Sequence, residues 1–404
     1  MKKKNLLYIG TFLDKYLIRD LFKYYNIIFL EWPEFLDYKK LDIEINSKIS
    51  TIVFSDIDCI FADYINAAPL LYKIRDLGCN APIIIISRIN PYPSREFLFT
   101  LLLSEIFTDN DILLTGSGES GRIYSMFGLT TKVIPTYGIN TKIFYNRGKI
   151  EARKKLGLPI NAKIMIYTGR FSADKNIGGL IAIYKRLKNM NNNVYLVIAS
   201  KFFDHRYFEL LKDKIKELDI ICLGLETEDI PYLYSASDLF VSCATSYFEN
   251  LGKSPLEAIA CNIPTIVPDW IGFKDVEKCG GMLIPVLFTN EPLYDPFSYA
   301  MVNLNILLEE CLKIINSTTE YNLSLIEELK YENVIIKIKE LIDNTIAMNE
   351  QKSKKINLNN EITLIKSEII NEFKEDLFSL SIKDDLYVGL DRLKKLYKMF
   401  YMSI

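Results

Sequence analysis

Residues 163–200 read KIMIYTGRFSADKNIGGLIAIYKRLKNMNNNVYLVIAS. Two near-continuous apolar runs, 163–169 and 194–200, enclose a segment in which Ile177, Leu180, Ile181, Tyr184 and Leu187 recur at helical spacing. Near-continuous hydrophobic strands are buried on both faces, as in a parallel sheet flanked by helices. The stretch therefore predicts a strand, a crossover helix and a second strand.

The same alternation extends in both directions. Downstream, strands are expected at 220–224, 238–242, 264–268 and 281–285. Upstream they are expected at 5–10, 26–30, 51–55, 82–87, 111–115 and 132–135. Six and six strands imply an α/β chain of two Rossmann-like domains, facing across a cleft where the strand carboxyl ends meet. The boundary falls in the charged, Gly- and Pro-punctuated segment 145–163. The expected domains are 1–147, 148–345 and, after the polar run 349–361, a helical extension over 346–404. In that extension Leu386, Leu390, Leu393, Tyr397 and Phe400 line one face, expected to pack back on the body. A peripheral membrane or oligomer contact through 384–402 is the alternative.

Composition narrows the function classes. The chain has 404 residues, 49% hydrophobic and 25% charged, with a formal net charge of −2. That balance suits a globular protein and gives no support to a nucleic-acid partner. Seven cysteines without C-x-x-C spacing argue against a disulfide framework or a zinc site. They point to a reducing, cytoplasmic compartment. His205, the single histidine, is expected on a helix surface, so no histidine base or histidine-held metal is expected. The basic start, MKKKNLLYIG, has too short an apolar run for a signal peptide and is expected to begin a strand. No run reaches the roughly 18 apolar residues of a spanning helix.

Two constellations carry chemistry. In residues 245–270, TSYFENLGKSPLEAIACNIPTIVPDW, Ser254 is expected as N-cap and Pro255 as first helical residue. Glu257 would then complete an S-x-x-E capping box. Glu249 has no such structural duty. A helix N-terminus offers backbone donors and a positive dipole end to phosphate, here from Asn250, Leu251 and Gly252. Carboxylates beside it suit sugar hydroxyls, because one carboxylate accepts two hydroxyl hydrogen bonds. In GRFSADK, Arg170 and Lys175 leave the strand at 163–169 as expected exposed charges, able to neutralise a diphosphate. A nucleotide-sugar fits this combination.

GRFSADK together with LYSASDLFVSCATSYFENLGKSPLEAIACNIPTIV (233–267) resembles the retaining glycosyltransferases of family 4. Residues 110–144 are similar to the segment that ends their N-terminal domain. The resemblance spans about residues 105–345 and implies the GT-B fold. It also implies sugar transfer from a nucleoside diphosphate sugar with retention, without metal or other cofactor. Arg170 and Lys175 would bind the diphosphate, Glu257 the ribose hydroxyls, and Glu249 the transferred sugar near its anomeric carbon. The Leu225 backbone would meet the base, and the amides around Leu251 and Gly252 the distal phosphate. The N-terminal domain would offer Gly10, Thr11, Ser87 and Arg88 to an acceptor, which the sequence does not identify as glycan, lipid, protein or small molecule.

This chain departs from the family pattern in three places. Ser87 or Arg88 stands where many relatives have a histidine, the first glycine-rich loop is reduced to Gly10–Thr11, and Asn140 replaces an aspartate. With no histidine there, a leaving phosphate oxygen would take the acceptor proton, as is proposed for the family. The departures leave two alternatives open: a catalytically silent partner or scaffold subunit, or another GT-B enzyme such as a sugar phosphorylase or nucleotide-sugar epimerase. A cytoplasmic enzyme, at most peripheral at the inner membrane face, is the expectation.

Overall fold

Strands Lys163–Thr168 and Val194–Ala199 pair in parallel, with Lys163 beside Val194 and Thr168 beside Ala199. Helix Ile177–Met190 connects them. All five residues of its expected apolar face are buried, with Ile183 beside them. The Asn176 side chain starts this helix by accepting the Gly179 N–H at 3.0 Å. The structure is a computed structural model that describes residues 3–348. Residues 12–14, 34–40, 51, 92–94, 136–137, 290–292, 295–297 and 318–322 fall outside the description. Of the expected extension 346–404, all but its first three residues, including its apolar face and the alternative membrane or oligomer contact, lies outside the described residues.

Along the chain the strands of the first sheet are β1 (Asn5–Gly10), β2 (Asn26–Glu31), β3 (Cys59–Ala62), β4 (Ile83–Ile86), β5 (Ile112–Thr115) and β6 (Thr131–Val133). Those of the second are β7 (Lys163–Thr168), β8 (Val194–Ala199), β9 (Ile221–Leu223), β10 (Leu239–Val241), β11 (Thr265–Pro268) and β12 (Met282–Ile284). The first sheet is ordered β2-β1-β3-β4-β5-β6 and the second β12-β11-β10-β7-β8-β9. Every pairing within them is parallel. The order of the second sheet reverses between β7 and β10, which is where a doubly wound sheet opens a crevice for ligand. These are two Rossmann-like units, the fold class expected.

The described residues divide into two compact units, one of residues up to 136 together with Val334–Met348, the other within Tyr137–Asn333. The divisions fall at 136/137 and 333/334, whereas the sequence placed them at 147/148 and 345/346. Helix Tyr331–Met348 explains the second difference. It buries Val334, Ile335, Ile338 and Ile342, and its Asp343 accepts the Tyr25 hydroxyl at 2.8 Å. Sequence punctuation marks where a helix begins and says nothing of which body it packs against.

One strand moves. The run 51–55 is not the third strand: Phe54–Asp56 form a 3-10 turn and Val53 is 65% exposed. The strand is Cys59–Ala62, buried at every position between β1 and β4. Asp58 sets its start by accepting the Asn5 backbone N–H at 2.7 Å, which places Cys59 beside Leu6. A second addition was not expected: β13 (Val286–Phe288) and β14 (Ala300–Val302) form an antiparallel pair after the second sheet. All seven cysteines are free thiols.

Candidate active site

The loops at the carboxyl ends of β7 and β10 bring the two sequence constellations together. After β7 the chain turns through Gly169 and presents Arg170, then a 3-10 turn over Ala173–Lys175. After β10 it runs through Thr245 to Glu249 and on to Gly252, where helix Lys253–Ala260 begins. Lys175 Nζ is ion-paired with Glu249 Oε1, so residues from the two loops meet directly.

Lys175 is not the exposed charge the sequence suggested. Its side chain is 16% exposed, against 50% for Arg170. Asp174, which the motif alone did not single out, organises both cations. Its carboxylate accepts from Arg170 at 2.7 Å and lies 3.6 Å from Lys175 Nζ, while Ser172 Oγ donates to its other oxygen at 2.5 Å. The signal was available as the aspartate immediately before Lys175. Beneath this network the Tyr167 hydroxyl donates to the Arg170 carbonyl at 3.2 Å. Burial raises the Tyr167 hydroxyl well above its ordinary range, and Glu249 and Asp174 add to the shift.

Glu257 belongs to a second network that starts from the same strand. Thr168, the last residue of β7, lies 2.6 Å from the Tyr234 hydroxyl, which donates to Glu257 Oε2 at 2.9 Å. Lys253 Nζ stands 3.7 Å from the other oxygen. Burial raises the Glu257 carboxyl, while Lys253 and then the Tyr234 hydrogen bond pull it back. The expected capping box is absent. The N-cap is Gly252, in the left-handed region at φ 72° with no side-chain cap, so Ser254 lies inside the helix. Glu257 is thus buried against Tyr234 instead of folding back on the helix start.

Packing accounts for Gly252 and a partner glycine. A Cβ on Gly252 would meet the Phe273 ring at 2.5 Å. One on Gly272 would lie 2.5 Å from the Asn250 carbonyl carbon and 2.6 Å from the Leu251 nitrogen. The Asn250–Gly252 loop is therefore held against the backbone of the turn Ile271–Phe273. Asn250 is buried, and Leu251 is half-buried. Leu225, half-buried, follows β9 at the sheet edge, and His205 is exposed at the start of helix His205–Glu217.

In the first unit, Gly10 ends β1, and a Cβ there would meet Asp63 Cβ at 2.9 Å. Arg88, after β4, is ion-paired with Asp63, donates to the Tyr64 hydroxyl at 3.0 Å and lies 4.2 Å over its ring. Thr11 and Ser87 are buried. Ser87 Oγ donates to the Ile89 carbonyl and sits 2.5 Å from the Tyr124 hydroxyl. Asp63 and Tyr64 were missed because neither forms a motif in the sequence. Among the described residues no group of three or more His, Cys, Asp or Glu side chains could hold a metal.

Known proteins resemble this chain chiefly in the second unit. Residues 148–286 match the family "Glycosyl transferases group 1". This group 1 segment contains Arg170, Lys175, Leu225, Glu249 and Glu257. The chain is 30% identical over 122 residues to an O-antigen chain mannosyltransferase B of Escherichia coli, covering 29% of this chain and 32% of that one. It is 31% identical over 121 residues to an alpha-monoglucosyldiacylglycerol synthase of Streptococcus pneumoniae, covering 29% and 26%. The chain thus spans about a third or less of those two relatives.

Two solved structures share the fold over most of the chain. Sucrose-phosphate synthase from Thermosynechococcus elongatus superposes with a TM-score of 0.66 at 15% identity, covering 85% of this chain and all of the other. Anabaena HepE in complex with UDP and glucose gives 0.58 at 16%, covering 92% and 100%. No described helix is long and apolar enough to cross a membrane.

Proposed function

We propose that the protein is a glycosyltransferase of family 4, with the GT-B fold, that transfers a sugar from a nucleoside diphosphate sugar with retention. The observation that carries this reading is the Lys175–Glu249 pair, which joins the two constellations at the point where the second sheet reverses. The group 1 match over the same residues and the UDP bound by a fold relative support it.

In this reading Arg170 and Lys175 take the diphosphate, with Asp174 holding both at the crevice. The amides of Asn250, Leu251 and Gly252 meet the distal phosphate, the Leu225 backbone meets the base, and Glu257 accepts the ribose hydroxyls. Glu249 faces the transferred sugar and stabilises charge near its anomeric carbon. The two cations then stabilise the departing diphosphate without a metal ion, the kind of preorganised contact whose loss commonly costs on the order of 10²- to 10³-fold in rate. The leaving phosphate oxygen takes the acceptor proton. The acceptor contacts are assigned to the first unit, to Gly10, Thr11, Ser87 and Arg88 at strand carboxyl ends. The compartment is the cytoplasm.

A thermal-shift panel of UDP, GDP, ADP and their sugars tests donor binding. A ligand at one hundred times its Kd adds about 2.7 kcal/mol. Turnover of the selected donor is then followed with and without EDTA, and is expected to survive it. Binding without turnover would favour a scaffold subunit. Activity lost in EDTA and restored by Mg²⁺ or Mn²⁺ would overturn the metal-free mechanism.

A further inference from the structure

The group 1 match ends at Val286, the first residue of β13. From there the chain forms an antiparallel pair with Val286 beside Val302 and Phe288 beside Ala300, a feature that a doubly wound sheet does not require. Its connection returns to the β10 loop. The Tyr294 hydroxyl accepts the Thr245 backbone N–H at 2.9 Å and lies 2.5 Å from Thr245 Oγ1. Thr245 Oγ1 in turn donates to the Ala300 carbonyl at 2.5 Å. Because threonine has one hydroxyl proton, the Tyr294 hydroxyl is left as donor to Thr245 Oγ1. Ser298 is a further side-chain partner of the Tyr294 hydroxyl.

The same excursion supplies an aromatic wall. Trp270 lies between Tyr247 and Phe288 with tilted rings, centroids at 5.2 and 6.0 Å, and Tyr299 lies 6.5 Å from Tyr247. Trp270 Nε1 donates to the Ser246 carbonyl at 2.9 Å, and that carbonyl also receives the Glu249 N–H at 3.2 Å. Thr245 to Glu249 is therefore fixed at its first residue by Tyr294 and at its turn by Trp270. Glu249 is the last residue of that turn.

We propose that Tyr294 is a positioning residue: it clamps Thr245 so that the Glu249 carboxylate is held for the transferred sugar. This rests on the role given to Glu249 above. A loop loosened at one end misplaces the carboxylate without removing it. Since about 1 Å of misplacement can cost 10²-fold in rate, partial loosening predicts roughly a tenfold fall in kcat. The Arg170 and Lys175 contacts to the diphosphate come from the other loop, and the Asn250–Gly252 amides are held separately by the turn Ile271–Phe273, so nucleotide binding should be spared.

The experiment compares the full chain with Tyr294→Phe, Thr245→Val and the double variant. It measures melting temperature, calorimetric affinity for UDP, GDP and ADP, and kcat and KM with the matching nucleotide-sugar. The expected result is a kcat about tenfold lower in each single variant, with nucleotide Kd and donor KM within twofold of wild type. The double variant should be no worse than the lower single, because both remove one clamp. A kcat within twofold of wild type in Tyr294→Phe overturns the proposal, and so does a parallel loss of nucleotide affinity and melting temperature. If wild type binds none of the three nucleotides, the donor reading itself has failed and the clamp falls with it. That outcome is distinct from normal wild-type binding with an unaffected variant.

Discussion

Lys175 and Glu249 neutralise each other across 74 positions of chain. Both are largely shielded from water, at 16% and 12% side-chain exposure. In the proposed site an arriving diphosphate takes over the Lys175 charge and leaves Glu249 to the sugar. Glu249→Gln should therefore bind nucleoside diphosphate as tightly as wild type, or several-fold tighter, since Lys175 then answers only to Asp174. Its kcat should fall by about 10²-fold, as for an interaction made mainly in the transition state. Calorimetry with the nucleotide and initial rates with the donor check both halves. Weaker nucleotide binding would show that Glu249 belongs to the nucleotide pocket.

The two cations should separate in stability while sharing a role in binding. Arg170 is half exposed and leans on Asp174, so Arg170→Ala should change stability by no more than about 0.5 kcal/mol. Lys175→Ala leaves Glu249 shielded and without this cation, which should cost about 1–3 kcal/mol. Both should weaken diphosphate binding about tenfold or more. Denaturant melts of Lys175→Ala and of Lys175→Ala with Glu249→Gln decide the matter: the second change should restore most of the lost stability. No restoration would mean the pair contributes nothing to folding.

Most of the architecture was legible because buried parallel strands are apolar at every position, and runs such as KIMIYT and VYLVIA have few other uses. The run 51–55 misled because it is as apolar as a strand. The deciding contact, Asp58 to the Asn5 N–H, lies between residues far apart in sequence. The motif residues were visible, yet their environment was not. Ser254 and Glu257 fit a capping pattern, but the glycine at 252 starts the helix early and sends Glu257 to Tyr234. Asp63, Tyr234 and Tyr294 act through contacts that spacing along the chain does not encode.

Glu257 gives a pH dependence with a definite sign. Burial raises its carboxyl above the ordinary 4.5 of the unfolded chain. A raised folded value means stability is fully present below the unfolded value and is lost as pH rises through the folded one. Glu257→Gln keeps an acceptor for the Tyr234 hydroxyl and carries no charge to bury. Its melting temperature should match wild type at about pH 4 and exceed it increasingly towards neutrality. Nucleotide affinity should nevertheless fall about tenfold, because a neutral amide is the poorer acceptor for two hydroxyls. A variant less stable than wild type at pH 7 would show that the ionised carboxylate is a net stabiliser.

Gly272 is where backbone meets backbone. A methyl group there would lie 2.5 Å from the Asn250 carbonyl carbon, 2.6 Å from the Leu251 nitrogen and 2.8 Å from the Asn250 oxygen. A crowded side chain can rotate away, whereas a crowded peptide must carry its loop with it. Gly272→Ala should therefore push the Asn250–Gly252 segment from its place and lower stability by about 1–3 kcal/mol, the usual cost of overpacking. If the amides of that segment hold the distal phosphate, nucleoside diphosphate should bind at least tenfold more weakly while nucleoside binding changes little. Gly118→Ala is the control. Its Cβ would meet nothing within 4 Å, so melting and binding should stay at wild-type values. Equal losses for the diphosphate and the bare nucleoside in Gly272→Ala would assign the segment to general support of the pocket. Wild-type stability in that variant would mean that the Asn250–Gly252 segment yields to the added methyl group without cost.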